Sequence, residues 1–309
     1  MMAIEKKKIS VPSADGIHTL FGVVYAPTGV KKGLFQVVHG MTEHIERYDK
    51  FMRELCEAGW VVFGHNHLGH KGSVRVDAEL GYVAQKDGWD LLARDVKGVY
   101  DAVRAEYGED LPYSLMGHSM GSFVVRVAAE KYVRPDRLVI MGTGGSNPAA
   151  GAGLALIALI KRMRGEKHIS PMIDALAFGS YNKRFGGGTD ADPKPWLSTD
   201  EKVRERYYAD PYCMFPFTVS AMGDLIRVMK ESNRAAWYRN LPSDLKILLV
   251  SGAEDPVGNY GRGVREVHEK LQNAGRDAIC RIYDGARHEI LNDFTYERVR
   301  DDILKFCEA

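Results

Sequence analysis

Apolar residues along the chain fall into two alternating rhythms. Short runs rich in β-branched and aromatic residues, at 34–38, 60–63, 113–116, 138–141, 247–250 and 278–283, read as strands buried on both faces. Between them, apolar positions recur at three- and four-residue spacing near 45–58, 89–107, 121–132 and 260–274, with a last such stretch at 296–307. That period predicts amphipathic helices. Two further segments, 4–11 and 17–25, flank Ser13-Ala14-Asp15-Gly16 and read as a β-hairpin. Strands alternating with helices predict an α/β fold in which helices flank a mostly parallel sheet.

The rhythm breaks once. Residues 144–237 carry helical segments but no convincing strand, and the alternation resumes at Asp244. An insertion between two sheet strands explains this economically. It divides the chain into a core of residues 1–143 and 238–309 and a helical cap of residues 144–237. Crevices in open α/β sheets lie outside the carboxyl ends of the strands, so an insertion leaving from such an end would roof the crevice.

Composition narrows the class of molecule. Lys plus Arg number 42 against 41 Asp plus Glu, and a net charge of +1 gives no electrostatic case for nucleic acid. With 45% hydrophobic residues the chain has material for a core and is not a disordered polymer. The cysteines, Cys56, Cys213, Cys280 and Cys307, are scattered without a C-x-x-C pair, which reads as free thiols in a reducing compartment. The longest apolar run, 154–160, is far short of the roughly 18 residues that span a bilayer, and no signal peptide is visible. The expectation is a soluble cytoplasmic protein.

The candidate chemistry begins at Gly117-His118-Ser119-Met120-Gly121, which follows a predicted strand and opens a predicted helix. This is the context of a G-x-S-x-G nucleophile elbow, where a sharp, strained turn holds a serine hydroxyl above the sheet. Serine needs a base, and the base needs an orienting acid. Of the two histidines after the insertion, His268 sits inside a helical pattern, whereas His288 lies in a loop just past a strand and can reach the same sheet edge. Asp255 follows the strand at 247–250 and is the expected acid, with Asp284 as the fallback; Glu254 is adjacent, and Asp244 lies at the wrong strand end. The oxyanion donors expected on this architecture are the backbone N–H groups of Met120 and of Met41, in the loop after the third strand. Gly40, His118, Leu156 and Ile160 are expected to touch substrate.

A rival reading comes from His65-Asn66-His67-Leu68-Gly69-His70, where His65, His67 and His70 could serve as zinc ligands. It lacks the Asp that precedes the last His in the metallo-β-lactamase pattern. A non-catalytic, ligand-binding version of the fold is the other alternative.

Taken together, Val38-His39-Gly40-Met41-Thr42-Glu43-His44 with Arg47-Tyr48, the serine elbow, Gly252-Ala253-Glu254-Asp255-Pro256 and Arg287-His288-Glu289 resemble the monoacylglycerol lipase and lysophospholipase branch of the α/β-hydrolase superfamily. Within the insertion, Gly179-Ser180-Tyr181-Asn182-Lys183-Arg184-Phe185, Trp196-Leu197-Ser198 and Asp210-Pro211-Tyr212-Cys213 resemble the cap of bacterial lysophospholipase-like members. The resemblance implies an eight-stranded sheet, a helical cap, no metal or other cofactor, and cleavage of the carboxylic ester of a monoacyl lipid, either a monoacylglycerol or a lysophospholipid. Small esters, thioesters or peptides are alternatives on the same triad. The chain departs from the family at Asn66-His67-Leu68-Gly69-His70-Lys71, where Asp-His-x-Gly-His-Gly is usual, and this bears on loop shape near the site. The apolar 154–160 segment, followed by Lys161, Arg162, Arg164 and Lys167, reads first as a cap helix buried on the core with a solvated basic end; the alternatives are a lining for an acyl-chain entrance and a helix that touches a lipid surface transiently.

Overall fold

The computed structural model describes residues 3–309. Eight strands, β1 (Ile4–Pro12), β2 (Thr19–Pro27), β3 (Gly33–Val38), β4 (Trp60–His65), β5 (Tyr113–His118), β6 (Arg137–Met141), β7 (Lys246–Gly252) and β8 (Ala278–Tyr283), form one sheet in the order β1-β2-β4-β3-β5-β6-β7-β8. β1 runs antiparallel to β2 and β2 antiparallel to β4, and every other pairing is parallel. The expected α/β class and mostly parallel sheet are thus observed.

The strand pattern explains how the sheet is covered. Leu34, Val38, Val61 and Phe63 join one apolar cluster, while Phe35, Val37, Trp60 and Val62 join the other. This two-residue alternation sends each strand's side chains into two cores. Helices α2 (Gly88–Tyr107), α3 (Met120–Lys131) and α9 (Arg262–Asn273) close the first, and α1 (Asp49–Glu57) and α10 (Tyr296–Glu308) the second.

Three element boundaries differ from expectation, each for a local reason. Ile17 lies in the hairpin turn and is 66% exposed, because the Asp15 carboxylate accepts the N–H groups of Ile17 and His18 at 2.8 and 2.9 Å and holds the chain in a turn. The stretch at 45–58 divides into a 3-10 turn, Ile45–Tyr48, and α1. The helix expected from 260 starts at Arg262, since Asn259, Tyr260 and Gly261 have φ of 49°, 56° and 80°.

Between β6 and β7 the chain forms α4 (Ala150–Arg164), α5 (Pro171–Phe178), α6 (Glu201–Ala209), α7 (Val219–Ser232) and α8 (Ala235–Asn240). The expected boundary at 237 falls inside α8, because Trp237 is fully buried and its indole N–H donates to the Arg126 carbonyl at 2.6 Å. Arg126, buried on α3, binds both ends of this stretch. Its Nη1 donates to the Gly144 carbonyl at 3.4 Å, and its Nη2 donates to Asn233 Oδ1 at 3.0 Å and to the Ser232 carbonyl. Among the described residues, no helix is long and apolar enough to cross a membrane.

Candidate active site

Loops at the carboxyl ends of β3, β5, β7 and β8 converge under α5 to α7. Ser119, between β5 and α3, has φ 54° and ψ −120°. Such a conformation is costly for a residue bearing a Cβ, and it persists only where the surroundings impose it. The surroundings here are tight: a Cβ on Gly121 would lie 2.2 Å from the Val38 carbonyl oxygen, and one on Gly40 would lie 3.0 Å from the Ser119 Cβ. Glycine at 40 and 121 therefore lets the β3 loop and the elbow touch. The Ser119 N–H is held by the Met141 carbonyl at 3.0 Å.

His288 is buried in the loop after β8, and its Nδ1–H donates to Asp255 Oδ2 at 2.9 Å. Asp255 is fully buried, accepts the Val257 N–H at 2.9 Å, and is the carboxylate that meets His288; Glu254 and Asp284 do not. His268 is engaged elsewhere, with Nε2 donating to the Ala278 carbonyl at 2.9 Å. Ser119, His288, Met41, Met120 and His118 all line one cavity of about 390 Å³. Around Ser119, the N–H groups of Gly40 and Thr42 are taken by Glu43 Oε1 at 2.6 Å and His70 Nε2 at 3.2 Å. Those of Met41 and Met120 have no acceptor among the described residues.

Beneath this group lies a buried polar network. Arg47 makes a two-pronged ion pair with Glu289, both bonds at 2.7 Å, and its Nη1 also reaches Glu43 Oε2 at 2.8 Å. Tyr48 Oη donates to Glu43 Oε1 at 2.9 Å. His118 Nε2 donates to the His288 carbonyl at 3.3 Å, and its Nδ1 faces Tyr48 Oη at 3.0 Å and Glu43 Oε1 at 3.3 Å. Burial alone would raise the Glu43 carboxyl, but the His118 hydrogen bond and the Arg47 charge outweigh it and hold the group well below the usual carboxylate range. Burial likewise pushes His118 down, and the Glu43 hydrogen bond and charge reverse this, leaving the imidazole more basic than usual. His118 thus braces the backbone of the His288 loop while its other nitrogen faces the Glu43 carboxylate. The sequence offered only part of this: Glu43 and Arg47 stand four apart, but Glu289 is distant in the chain.

The segment between β6 and β7 clamps the same loop. The N–H groups of His288 and Glu289 donate to the Trp196 and Leu197 carbonyls at 3.4 and 2.7 Å, and the Trp196 ring centroid lies 5.1 Å from that of His288. Phe123, Phe178, Leu225 and Met229 make an apolar wall that sequence reasoning missed, since only packing assembles it.

The expected substrate contacts are redistributed. Gly40 and Ile160 are not among the cavity-lining residues; Gly40 supports the elbow from behind, and Ile160, 7% exposed, packs into the core. Leu156 lines a second cavity of about 630 Å³ between α4, α5 and α7, which shares Phe178, Leu225 and Met229 with the first. His118 lines the first cavity but is locked by the network. The zinc reading finds no geometric support: among the described residues, only His44, Asp210 and Cys213 bring potential ligand atoms within 4.8 Å of one another. Burial depresses His65 and His70 to about 4, so both are neutral, and both His70 nitrogens are engaged, Nδ1–H by the Leu68 carbonyl and Nε2 by the Thr42 N–H. The departures at 66 and 71 are accommodated. Asn66 Oδ1 accepts the Ile45 N–H at 2.8 Å, and Lys71 Nζ lies 3.7 Å from Glu46.

A strained serine elbow on a mostly parallel eight-stranded sheet, with an aspartate-held histidine at the same edge, defines an α/β-hydrolase. The family described as "Serine aminopeptidase, S33" matches residues 29–295. The chain is 37% identical over 281 residues to the monoglyceride lipase of Homo sapiens, covering 89% of this chain and 81% of that one. It is 22% identical over 309 residues to the monoacylglycerol lipase of Mycolicibacterium smegmatis, covering 99% and 98%. Among solved structures, a thermostable carboxyl esterase from Bacillus coagulans in complex with glycerol superposes with a TM-score of 0.92 at 28% identity, covering 100% and 99%. The chain belongs to this hydrolase family, in its monoacylglycerol lipase-like branch.

Proposed function

We propose that this chain is a serine hydrolase cleaving the carboxylic ester of monoacyl lipids through an acyl-enzyme on Ser119, with residues 144–237 acting as the cap. The observation that carries the reading is the conjunction of a strained Ser119 and an Asp255-bonded His288 in one cavity walled by apolar side chains. In this mechanism Ser119 Oγ attacks the ester carbonyl while His288 Nε2 takes its proton. Asp255 holds the imidazole tautomer and stabilises the imidazolium. The Met41 and Met120 N–H groups receive the developing oxyanion. His288 then returns the proton to the leaving alcohol, and water repeats the sequence on the acyl-enzyme. Names and titles among the relatives, monoglyceride lipase and carboxyl esterase, support an ester over a peptide. The four cysteines are unpaired, which supports a reducing, cytoplasmic setting.

The test is a panel of monoacyl esters graded in chain length, with a thioester and a peptide amide of the same acyl group. Monoacyl esters are expected to turn over fastest. A fluorophosphonate should add one adduct at Ser119 and abolish turnover, and a chelator should leave the rate unchanged. Faster peptide or thioester cleavage, or an adduct elsewhere, would overturn the reading.

Contact with a lipid surface through the cap is part of the same proposal. Leu159 and Met163 on α4 are 53% and 64% exposed, beside Arg162 and Arg164 in its last turn. An apolar face rimmed by cations suits anionic headgroups. Replacing both Leu159 and Met163 by Asp is expected to lower sedimentation with anionic vesicles by about ten-fold or more. Unchanged sedimentation would show that the patch does not engage lipid.

A further inference from the structure

The cavity at Ser119 has two unlike ends. Phe123, Phe178, Leu225 and Met229 make one apolar, whereas Thr42, Glu43, Lys194, Tyr207 and Glu289 make the other polar. At the polar end two cations flank the Tyr207 ring, Arg47 at 4.8 Å and Lys194 Nζ at 5.5 Å from its centroid. Their electrostatic situations differ. Arg47 is neutralised by Glu289 and Glu43, and Glu43 also faces His118. Among the described residues, no carboxylate oxygen lies within 4.0 Å of Lys194 Nζ and no hydrogen-bond acceptor engages it. Glu289 is saturated by Arg47, and Asp174, the other nearby carboxylate, is solvent-exposed on α5.

The backbone carrying Lys194 is held in place. It stands between Pro193 and Pro195, both of fixed φ. Its N–H donates to Tyr208 Oη at 3.0 Å, and the Pro195 carbonyl accepts from Arg287 Nη1 at 2.6 Å. Trp196, two residues on, packs against the His288 ring. The ammonium is therefore held beside the Tyr207 ring, on the same segment whose Trp196 carbonyl accepts the His288 N–H. Burial lowers its pKa against the charges of Asp174 and Glu289, so the charged form gains from an anion closer than either.

We infer that Lys194 is a specificity-determining residue that binds an anionic group on the alcohol half of the ester, so that the preferred substrate is a monoacyl glycerophosphate and not a neutral monoacylglycerol. This rests on the proposed ester hydrolysis and names its substrate class. A phosphate oxygen would receive a charge-assisted bond from Nζ, with the acyl chain along the apolar wall.

The experiment compares octanoylglycerol with octanoyl-glycerophosphate, chain lengths short enough to remain monomeric, so that surface charge plays no part. The wild-type chain is expected to show the higher kcat/KM on the phosphate ester. Lys194→Met should lower the ratio of kcat/KM for phosphate over neutral ester by roughly 10- to 100-fold, mainly through KM. Lys194→Arg should restore most of that ratio, and replacing the exposed Lys202 on α6 by Met should not move it. Circular dichroism checks that each variant is folded. A wild-type preference for the neutral ester, or a ratio unchanged in Lys194→Met, overturns the inference while leaving ester hydrolysis intact. Failure to cleave either ester overturns the functional proposal and this inference together.

Discussion

Ser119→Ala is expected to lower kcat on a soluble ester by on the order of 10⁴- to 10⁶-fold, with the fold unchanged by circular dichroism. The size follows from what the side chain does: without Oγ no acyl-enzyme forms, and only binding and oxyanion stabilisation remain. His288→Ala should cost about as much. The double variant should be no worse than either single one, since nucleophile and base act as a unit. Asp255→Asn should lower kcat by on the order of 10⁴-fold. Its amide can turn an N–H toward His288 Nδ1, which now donates to Asp255 Oδ2 at 2.9 Å, and so force the proton onto the nitrogen that must accept from Ser119. Retention of activity within ten-fold in Ser119→Ala would remove Ser119 from the mechanism.

The second large effect concerns stability. Glu43→Gln is expected to destabilise the fold by about 3–5 kcal/mol, because it leaves a buried His118 without its carboxylate and takes one of two anions from Arg47. Urea unfolding of wild type and variant at neutral pH measures this directly. The pH dependence carries a sign for each partner. Glu43 is held well below the ordinary glutamate value of 4.5, so its contribution is fully present above that value and is lost as pH falls through the depressed one. His118 is raised above 6.5, so its contribution is present below 6.5 and is lost as pH rises through the elevated value. Wild-type stability should therefore fall off on both sides, and the Gln variant should show a flatter profile. A variant as stable as wild type would mean that the network contributes nothing to the fold.

How much of this was legible depended on the range of the interaction. The elbow was legible because strand, glycines, serine and helix are contiguous, whereas the close approach of the β3 loop that holds Ser119 in its strained conformation was not. Asp255 and His288 were legible as loop residues following strands, since parallel strands deliver their carboxyl ends to one edge. The substrate contacts were less so. Ile160 and Leu156 lie one turn apart on α4, yet Ile160 packs into the core and Leu156 lines the second cavity, a distinction set by what each meets along the helix.

The amino-acid sequence by itself determined the alternation of strands and helices, the single interruption between β6 and β7, and which residue types could supply a nucleophile, base and acid. These follow from hydrophobic period and turn chemistry, which act over a few residues. Only the tertiary structure decided that Arg47 spans Glu43 and Glu289, that the Trp196 and Leu197 carbonyls hold the His288 loop, and that Lys194 stands at the polar end with no ion-pair partner among the described residues. Those relations join groups far apart in the chain. Burial removes the water that would otherwise screen them, and no local pattern encodes which distant charge will be there.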